Sequence, residues 1–136
     1  MRRDLCIRVG LMTILLASVA VAQSAPQSGR AAQMTGVFSS LLLHRDTQDV
    51  IGYEVIVSRV GDDGAYFVVL QCAQGVPQPP VVSEAKLVNS VLLFASTDPL
   101  CGTNLKAKPG RDGVFLWVDG KPQGLIPRRH SFWESH

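Results

Sequence analysis

The sequence predicts an all-β protein, an antiparallel meander of about eight strands that forms a small barrel, with a β-sandwich as the alternative. Two observations support this fold class. Eight short apolar runs, rich in β-branched and aromatic residues, follow one another from residue 36 to residue 127, with turn residues between them. Apolar positions at helical spacing are missing over the same range, where glycine and proline are frequent.

The runs place the strands at residues 36–43, 51–60, 65–73, 81–88, 90–96, 103–107, 113–118 and 122–127. Tight reversals are predicted at 61–64, 89–90 and 119–121, because glycine, aspartate and asparagine tolerate the positive φ angles of hairpin turns. The third strand is expected to end at Cys72, because Gly75 and the prolines at 77, 79 and 80 interrupt a pairing ladder.

The interior of the barrel is open to two interpretations. An eight-stranded barrel is just wide enough to hold one small ligand, or to be filled by its own side chains. The side chains expected to fill a solid interior are Phe67, Val69, Leu93, Phe94, Leu116 and Trp117.

The N-terminus has the features of a secretory signal peptide over residues 1–22. Basic residues at positions 2, 3 and 8 precede the apolar stretch Val9–Ala22, which ends in Ala20-Val21-Ala22, small residues where a signal peptidase cleaves. The stretch is shorter than the roughly 20 apolar residues of a transmembrane helix. We therefore expect an exported protein, periplasmic or secreted, with no transmembrane segment in the mature chain.

Residues 23–34 (QSAPQSGRAAQM) carry little to bury and are predicted to be a disordered arm, which leaves 35–136 as a single barrel-like domain. Without the leader the chain has ten basic and ten acidic residues. This balance suggests neither a nucleic acid nor an anionic membrane as partner. A local basic rim is conceivable if two groups meet in space: Lys106, Lys108 and Arg111, and Arg128, Arg129 and His130.

Two cysteines follow the leader, Cys72 and Cys101, whereas Cys6 lies within it. In an oxidising compartment such a pair predicts a disulfide. Closing this loop stabilises a fold by about 3–4 kcal/mol on the chain-entropy model. The histidines at 44, 130 and 136 are scattered, so the sequence predicts neither a metal site nor a cofactor.

Signatures of catalysis are missing: the sequence has no G-x-S-x-G, no H-E-x-x-H and no glycine-rich phosphate loop. Ser39, His44 and Asp46 supply the residue types of a hydrolytic triad, but closeness in sequence says little about triad geometry. The aspartates at 46, 49, 62, 63 and 98 do not follow a calcium-loop pattern and are interpreted as turn formers. The prediction is a protein that is not an enzyme.

The C-terminus sets cations beside two large aromatic residues. One interpretation makes Phe132 and Trp133 a cap over the open end of the barrel. The other makes Arg128, Arg129 and Trp133 a recognition surface, since tryptophan and arginine are over-represented at binding hot spots.

Three segments resemble a group of short exported bacterial β-domain proteins of uncharacterised function: DVIGYEV (49–55), VLQCAQGVP (69–77) and LIPRRHSFW (125–133). The resemblance covers nearly the whole mature domain and implies no activity and no site residues. In size and disulfide alone the chain also resembles periplasmic lysozyme inhibitors, a likeness of architecture that carries no function.

These observations predict an exported, non-enzymatic binding module. Its partner is either a small apolar or amphipathic ligand inside the barrel, or an envelope protein docked at the loop that carries Gly75–Pro80. The alternative is a periplasmic inhibitor or envelope-interaction protein with a solid barrel, and a third is an unrecognised hydrolase.

Overall fold

The structure is a computed structural model that describes residues 34–61 and 64–134. The predicted signal peptide and nearly all of the predicted arm lie outside this range. The strands in chain order are β1 (Gly36–Ser39), β2 (Leu42–Leu43), β3 (Val50–Val60), β4 (Ala65–Pro77), β5 (Val81–Val88), β6 (Val91–Ala95), β7 (Asn104–Pro109), β8 (Gly113–Val118) and β9 (Lys121–Pro127). Short 3-10 helices cover Pro99–Cys101 and Phe132–Glu134.

The strands form one antiparallel meander, as the sequence predicts. The order of neighbours is β1-β3-β4-β5-β6-β7-β8-β9, and the two-residue β2 pairs with β3 beside β1. Phe38 of β1 bridges to Arg128 just beyond β9, and the amide of Arg129 donates to the carbonyl of Val37 over 3.2 Å. These contacts bring the first and last strands together, so the sheet is a nearly closed barrel.

Three hairpin turns lie where the sequence places them. Asn89 and Ser90 have φ angles of 50° and 65°, and Asp119 and Gly120 have 47° and 80°. Two consecutive positive φ angles are the mark of the two-residue hairpin turns that match the twist of a sheet. The β3–β4 hairpin closes with Val60 opposite Ala65.

The core lies inside the barrel and draws side chains from all eight barrel strands. Its largest members, each at most 1% exposed, are Met34, Phe38, Leu70, Leu92 and Leu116. Met34, which the sequence assigns to the arm, therefore packs with the domain. At about 25 cal/mol per Å² of apolar surface, burial of this cluster is the main term that stabilises the fold.

Four of the six side chains expected in the centre of the barrel lie on its outer face instead. Phe94 and Leu116 are buried, but Phe67 and Leu93 are 38% and 36% exposed, and Val69 and Trp117 are partly exposed. Alternation identifies the two faces of a strand correctly. It does not tell which face is inside when both are apolar, and these strands have two apolar faces.

The third predicted strand does not end at Cys72. Strand β4 continues to Pro77, and its ladder with β3 runs past the cysteine to pair Gly75 with Val50. Pro77 is tolerated because it is the last residue of the strand, where a missing N–H interrupts no ladder. Only the prolines at 79 and 80 fall outside β4.

The predicted disulfide joins Cys72 in β4 to Cys101 at the end of the first 3-10 helix, and both residues are fully buried. Asp98 caps this helix, since its Oδ1 accepts from the amide of Leu100 over 2.9 Å. The bridge therefore ties the β6–β7 connection to the middle of β4. Within the described residues, no helix is long and apolar enough to span a bilayer.

Candidate functional site

The segment that follows β9, residues 128–134, carries the predicted recognition residues and turns back over the outside of the barrel. Arg128 is tied down at its start, because its Nη1 donates to the carbonyl of Thr35 over 2.7 Å. Its guanidinium also lies 4.6 Å from the centroid of the Phe38 ring. Arg128 thus closes the seam of the barrel by a cation–π contact as well as by backbone pairing.

The end of this segment is anchored on strands β3 and β4. The indole Nε1 of Trp133 donates to Oε1 of Gln71 over 2.6 Å, and the Phe132 ring meets the Trp133 ring edge-on, with centroids 4.9 Å apart. Phe132 packs against a second apolar cluster, on the opposite face of the sheet from the barrel core, formed by Leu41, Leu43, Val50 and Ala73. Phe132 and Trp133 therefore cover an outer face of the barrel.

Glu54 fixes the position of the segment. Its Oε1 accepts from the hydroxyl of Ser131 over 2.7 Å, and its Oε2 accepts from the amide of Phe132 over 2.8 Å. Although Glu54 lies on the outer face of β3, only 3% of it is exposed. A buried carboxylate is stable here because both oxygens are hydrogen-bonded. The sequence interpretation did not include Glu54, which alternates with Val55 and Val57 like an ordinary solvent-facing residue.

A groove of about 940 Å³ opens between the β1–β2 region and the C-terminal segment. Its floor is apolar and consists of Leu41, Leu42, Leu43 and Phe132. Leu42 is 59% exposed, so this floor is accessible to a ligand.

Three arginines line the same groove, Arg45 from the β2–β3 loop and Arg128 and Arg129 from the C-terminal segment, together with His130. Glu134 approaches His130, with 3.5 Å between its Oε2 and the ring Nδ1, but both side chains are well exposed, so this pairing is weak. The groove thus combines an apolar floor with a cationic rim.

A smaller recess of about 200 Å³ lies beside the groove, beneath Trp133. Ile56, Val69 and Pro80 give it an apolar floor. Ser131 lines both depressions, whereas Arg128 and Arg129 line only the groove and Trp133 only the recess. The three predicted recognition residues therefore belong to one segment but face two adjoining depressions.

The two basic groups of the sequence lie on different elements, the first on and after strand β7 and the second in the segment after β9. Lys106 and Lys108 are on the outer face of β7, while Arg129 and His130 line the groove. The turn that carries Arg111 lies close to the start of the C-terminal segment, since the carbonyl of Asp112 accepts from the amide of Arg128 over 2.9 Å.

The hydrolytic residue types are not assembled. Ser39 is 3% exposed and its Oγ accepts from the amide of Leu41 over 3.4 Å, whereas His44 and Asp46 are exposed in the β2–β3 loop. All three are in the described part of the chain, and no hydrogen bond joins any two of their side chains.

Acidic and metal-binding side chains do not cluster within residues 34–61 and 64–134, where no group of three or more His, Cys, Asp or Glu could hold a metal ion. Asp98 acts as a helix cap, and Asp62 and Asp63 lie outside the described residues.

No protein-family model, curated protein or solved structure matches the chain. The resemblance to short exported bacterial proteins stays a prediction. The groove and its neighbouring recess are therefore interpreted from their own chemistry.

Proposed function

We propose that the protein is an exported, non-enzymatic binding module whose groove takes an amphipathic anion, an apolar chain that ends in a carboxylate or phosphate. The observation that carries this proposal is the meeting of an exposed apolar floor with a cationic rim in one groove of about 940 Å³. Ligand sites typically combine a largely apolar lining with a few polar groups that fix orientation, in volumes of about 300–1,000 Å³.

Charge complementarity favours an anionic head group. Arg45 and Arg129 are exposed at the rim, Glu54 is committed to Ser131 and Phe132, and Glu134 pairs only weakly, with His130. Arginine binds carboxylate and phosphate through paired N–H donors. An apolar tail would cover Leu42, which is 59% exposed.

The outer surface of the barrel is a better candidate for the ligand site than its interior. The core cluster contains side chains from every barrel strand, and both depressions described above open on the outside. This packing supports the solid-barrel alternative of the sequence and moves the expected ligand from the interior to the groove.

Two observations support the remaining parts of the proposal. The separation of Ser39 from His44 and Asp46 supports a role without catalysis. A buried disulfide supports export to the periplasm or beyond, since such bonds persist in oxidising compartments and are rare in the cytosol.

The proposal is tested by calorimetric titration of the protein with decanoate and, in parallel, with 1-decanol, which has the same chain but no charge. We expect decanoate to bind the more tightly. Arg129→Gln should weaken decanoate binding about tenfold or more, the effect of losing one hydrogen bond between charged groups. Arg111→Gln, an exposed arginine in the β7–β8 turn, is the matched control and should bind as the wild type does.

The apolar floor is tested in the same way with Leu42→Ser, and Leu87→Ser, at another exposed leucine near the end of β5, is its control. Only the first substitution should weaken binding of decanoate. Equal binding of decanoate and decanol, or equal losses in the variant and its control, would contradict the proposed site.

A second candidate, docking of an envelope protein, is favoured by exposed apolar residues near the disulfide. Val76 and Leu100 are 70% and 56% exposed, and Gln74 Nε2 donates to the carbonyl of Leu100 over 3.2 Å, which links the two segments. The test compares wild type with a Val76→Asp/Leu100→Asp variant as immobilised baits for envelope extract. A partner retained equally by both baits would exclude this surface.

A further inference from the structure

The second half of the barrel has an uneven distribution of charge. Strands β6, β7, β8 and β9 contain the lysines at 106, 108 and 121 and no aspartate or glutamate. The balance of ten basic and ten acidic residues after the leader thus hides a segregation that appears only when the strands are placed side by side.

Two of these lysines alternate with large apolar side chains on the outer face of the sheet. Lys106 pairs with Trp117 and Lys108 pairs with Phe115 across the β7–β8 ladder. Directly opposite residues on one face have Cβ atoms about 4.5–5.5 Å apart, so each lysine stem lies beside an aromatic ring. The rings of Phe115 and Trp117 are themselves neighbours, with centroids 6.4 Å apart.

The apolar part of this surface continues onto both flanking strands. Leu93 of β6 pairs with Lys106, and Leu125 of β9 pairs with Phe115. Leu93, Phe115 and Leu125 are between 36% and 43% exposed. We call this surface the lysine–aromatic face, and its members are Leu93, Lys106, Lys108, Phe115, Trp117 and Leu125.

The carboxylates at its border, Asp98, Asp112 and Asp119, lie in the connections between strands β6 to β9 rather than on the strands. Asp119, in the β8–β9 turn, accepts hydrogen bonds from the backbone and hydroxyl of Thr103 and from the amide of Asn104. On the far side, Glu84 belongs to β5 and lies opposite Phe67 of β4, away from β7. The face therefore presents positive charge around exposed apolar side chains.

We propose that the lysine–aromatic face docks on an anionic lipid surface. Aromatic rings partition to the boundary between head groups and acyl chains, and lysine stems lie along apolar surface while their ammonium groups reach the head groups. Each lysine near an anionic membrane strengthens the binding of a protein to that membrane about fivefold. The two lysines therefore supply an attraction that salt weakens. This would be peripheral binding, separate from the groove between the β1–β2 region and the C-terminal segment.

The shape of the face favours a lipid surface over a linear polyanion. A polymer is bound along a charged groove that tracks its backbone. The outer face of a barrel is convex, and here Phe115 and Leu125 are exposed together with the two lysines. A convex apolar centre flanked by lysines can enter a fluid interface, whereas a stiff polymer would touch it only locally.

Tryptophan fluorescence tests the proposal at the face itself, because the chain has only two tryptophans. Trp133→Phe leaves Trp117 as the sole reporter, and Trp117→Phe leaves Trp133. Vesicles with phosphatidylglycerol should shift the emission of Trp117 to the blue, and brominated acyl chains should quench it, whereas Trp133 should respond less. Trp117 thus reports contact between this face and lipid, even if another part of the chain also touches the membrane.

Charge variants give the quantitative arm of the test. Lys106→Gln/Lys108→Gln should lower partition to anionic vesicles about 25-fold, the product of two fivefold losses. The same double variant should bind decanoate as the wild type does, because neither lysine lines the groove, so failure here is distinguishable from failure of the proposed ligand. The proposal is overturned if neutral phosphatidylcholine vesicles bind equally well, if Trp117 shows no shift, or if a sulfated polysaccharide shifts Trp117 where anionic vesicles do not.

Discussion

The carboxylate of Glu54 accepts the backbone N–H of Phe132 over 2.8 Å, although 78 positions separate the two residues. The bond caps the N-terminal end of the 3-10 helix Phe132–Glu134 and holds the last described turn of the chain against strand β3. One side of the groove is thereby positioned by a residue on the outer face of strand β3. The carboxylate of Glu54 therefore belongs to a strand of the barrel and at the same time holds the segment that lines the groove.

Replacement of Glu54 by alanine should therefore release the C-terminal segment and destabilise the protein. Hydrogen bonds to a charged group contribute about 1.5–3 kcal/mol each, and loss of the carboxylate leaves two donors without their acceptor. Urea unfolding of Glu54→Ala, Ser131→Ala and the double variant should give a coupling free energy of about 1–3 kcal/mol.

The conservative variant Glu54→Gln serves as the control, because its amide oxygen can still accept from the amide of Phe132. Amide hydrogen exchange at Phe132 should be fast in Glu54→Ala and slow in wild type and in Glu54→Gln. Unchanged protection in Glu54→Ala would show that another contact holds the segment.

Removal of the disulfide between Cys72 and Cys101 should lower the stability of the fold considerably. A Cys72→Ala/Cys101→Ala variant avoids a leftover thiol and should lose about 3–4 kcal/mol, the chain-entropy value for this loop. For a domain of this size that corresponds to a fall in melting temperature of roughly 10–30 °C. The control is reduction with dithiothreitol, which should lower the melting temperature of wild type by a similar amount and leave that of the variant unchanged.

How much of the fold the sequence predicts depends on the strand. In β3 the alternation of Val55 and Val57 with Glu54 and Ser58 separates an inner from an outer face. In β4 and β8 both faces are apolar, so Phe67 and Trp117 were expected inside although they lie outside. The cysteine resolves β4, because Cys72 is buried and shares its face with Leu70 and Val68.

The candidate site is harder to predict because it depends on contacts distant in sequence. Arg128, Arg129 and Trp133 stood out by residue type, but their separation into two depressions depends on where Ser131 meets Glu54. A glutamate between apolar residues on a strand gives no sign that it will be covered by a segment 77 positions away. The apolar run at Leu41–Leu43 predicted a strand, and only the structure shows it as the floor of a groove.

Asp119 should make stability depend on pH in the acid range. Hydrogen bonds from the Asn104 amide, the Thr103 hydroxyl and the Thr103 amide hold the pKa of this carboxyl below its usual value of 3.8. Because the pKa is lower in the folded state, the stabilisation is complete above about pH 4 and is lost as the pH falls through the folded-state pKa.

Asp119→Asn tests this relationship with little strain, since asparagine also tolerates the φ of 47° at this position. The variant should be less stable than wild type at pH 7, and the difference in unfolding free energy should shrink as the pH falls below about 4. A difference that is constant from pH 7 to pH 2 would assign the effect of Asp119 to turn geometry alone.

The tight contact between β8 and β9 predicts that Gly113 cannot be enlarged. A Cβ atom at this position would overlap the carbonyl oxygen of Ile126 and lie 2.8 Å from Cα of Pro127, both of which are backbone atoms that cannot move aside. At Gly110, in the same hairpin, the nearest atom would be Cε2 of the Phe115 ring at 3.2 Å, and a side chain can shift. Gly113→Ala should therefore cost about 1–3 kcal/mol, the usual range for overpacking. Gly110→Ala should cost clearly less in the same urea titration.

Because Ile126 and Pro127 lead directly into the C-terminal segment, Gly113→Ala should also weaken decanoate binding, and equal effects of the two substitutions would show that this backbone contact does not position the groove.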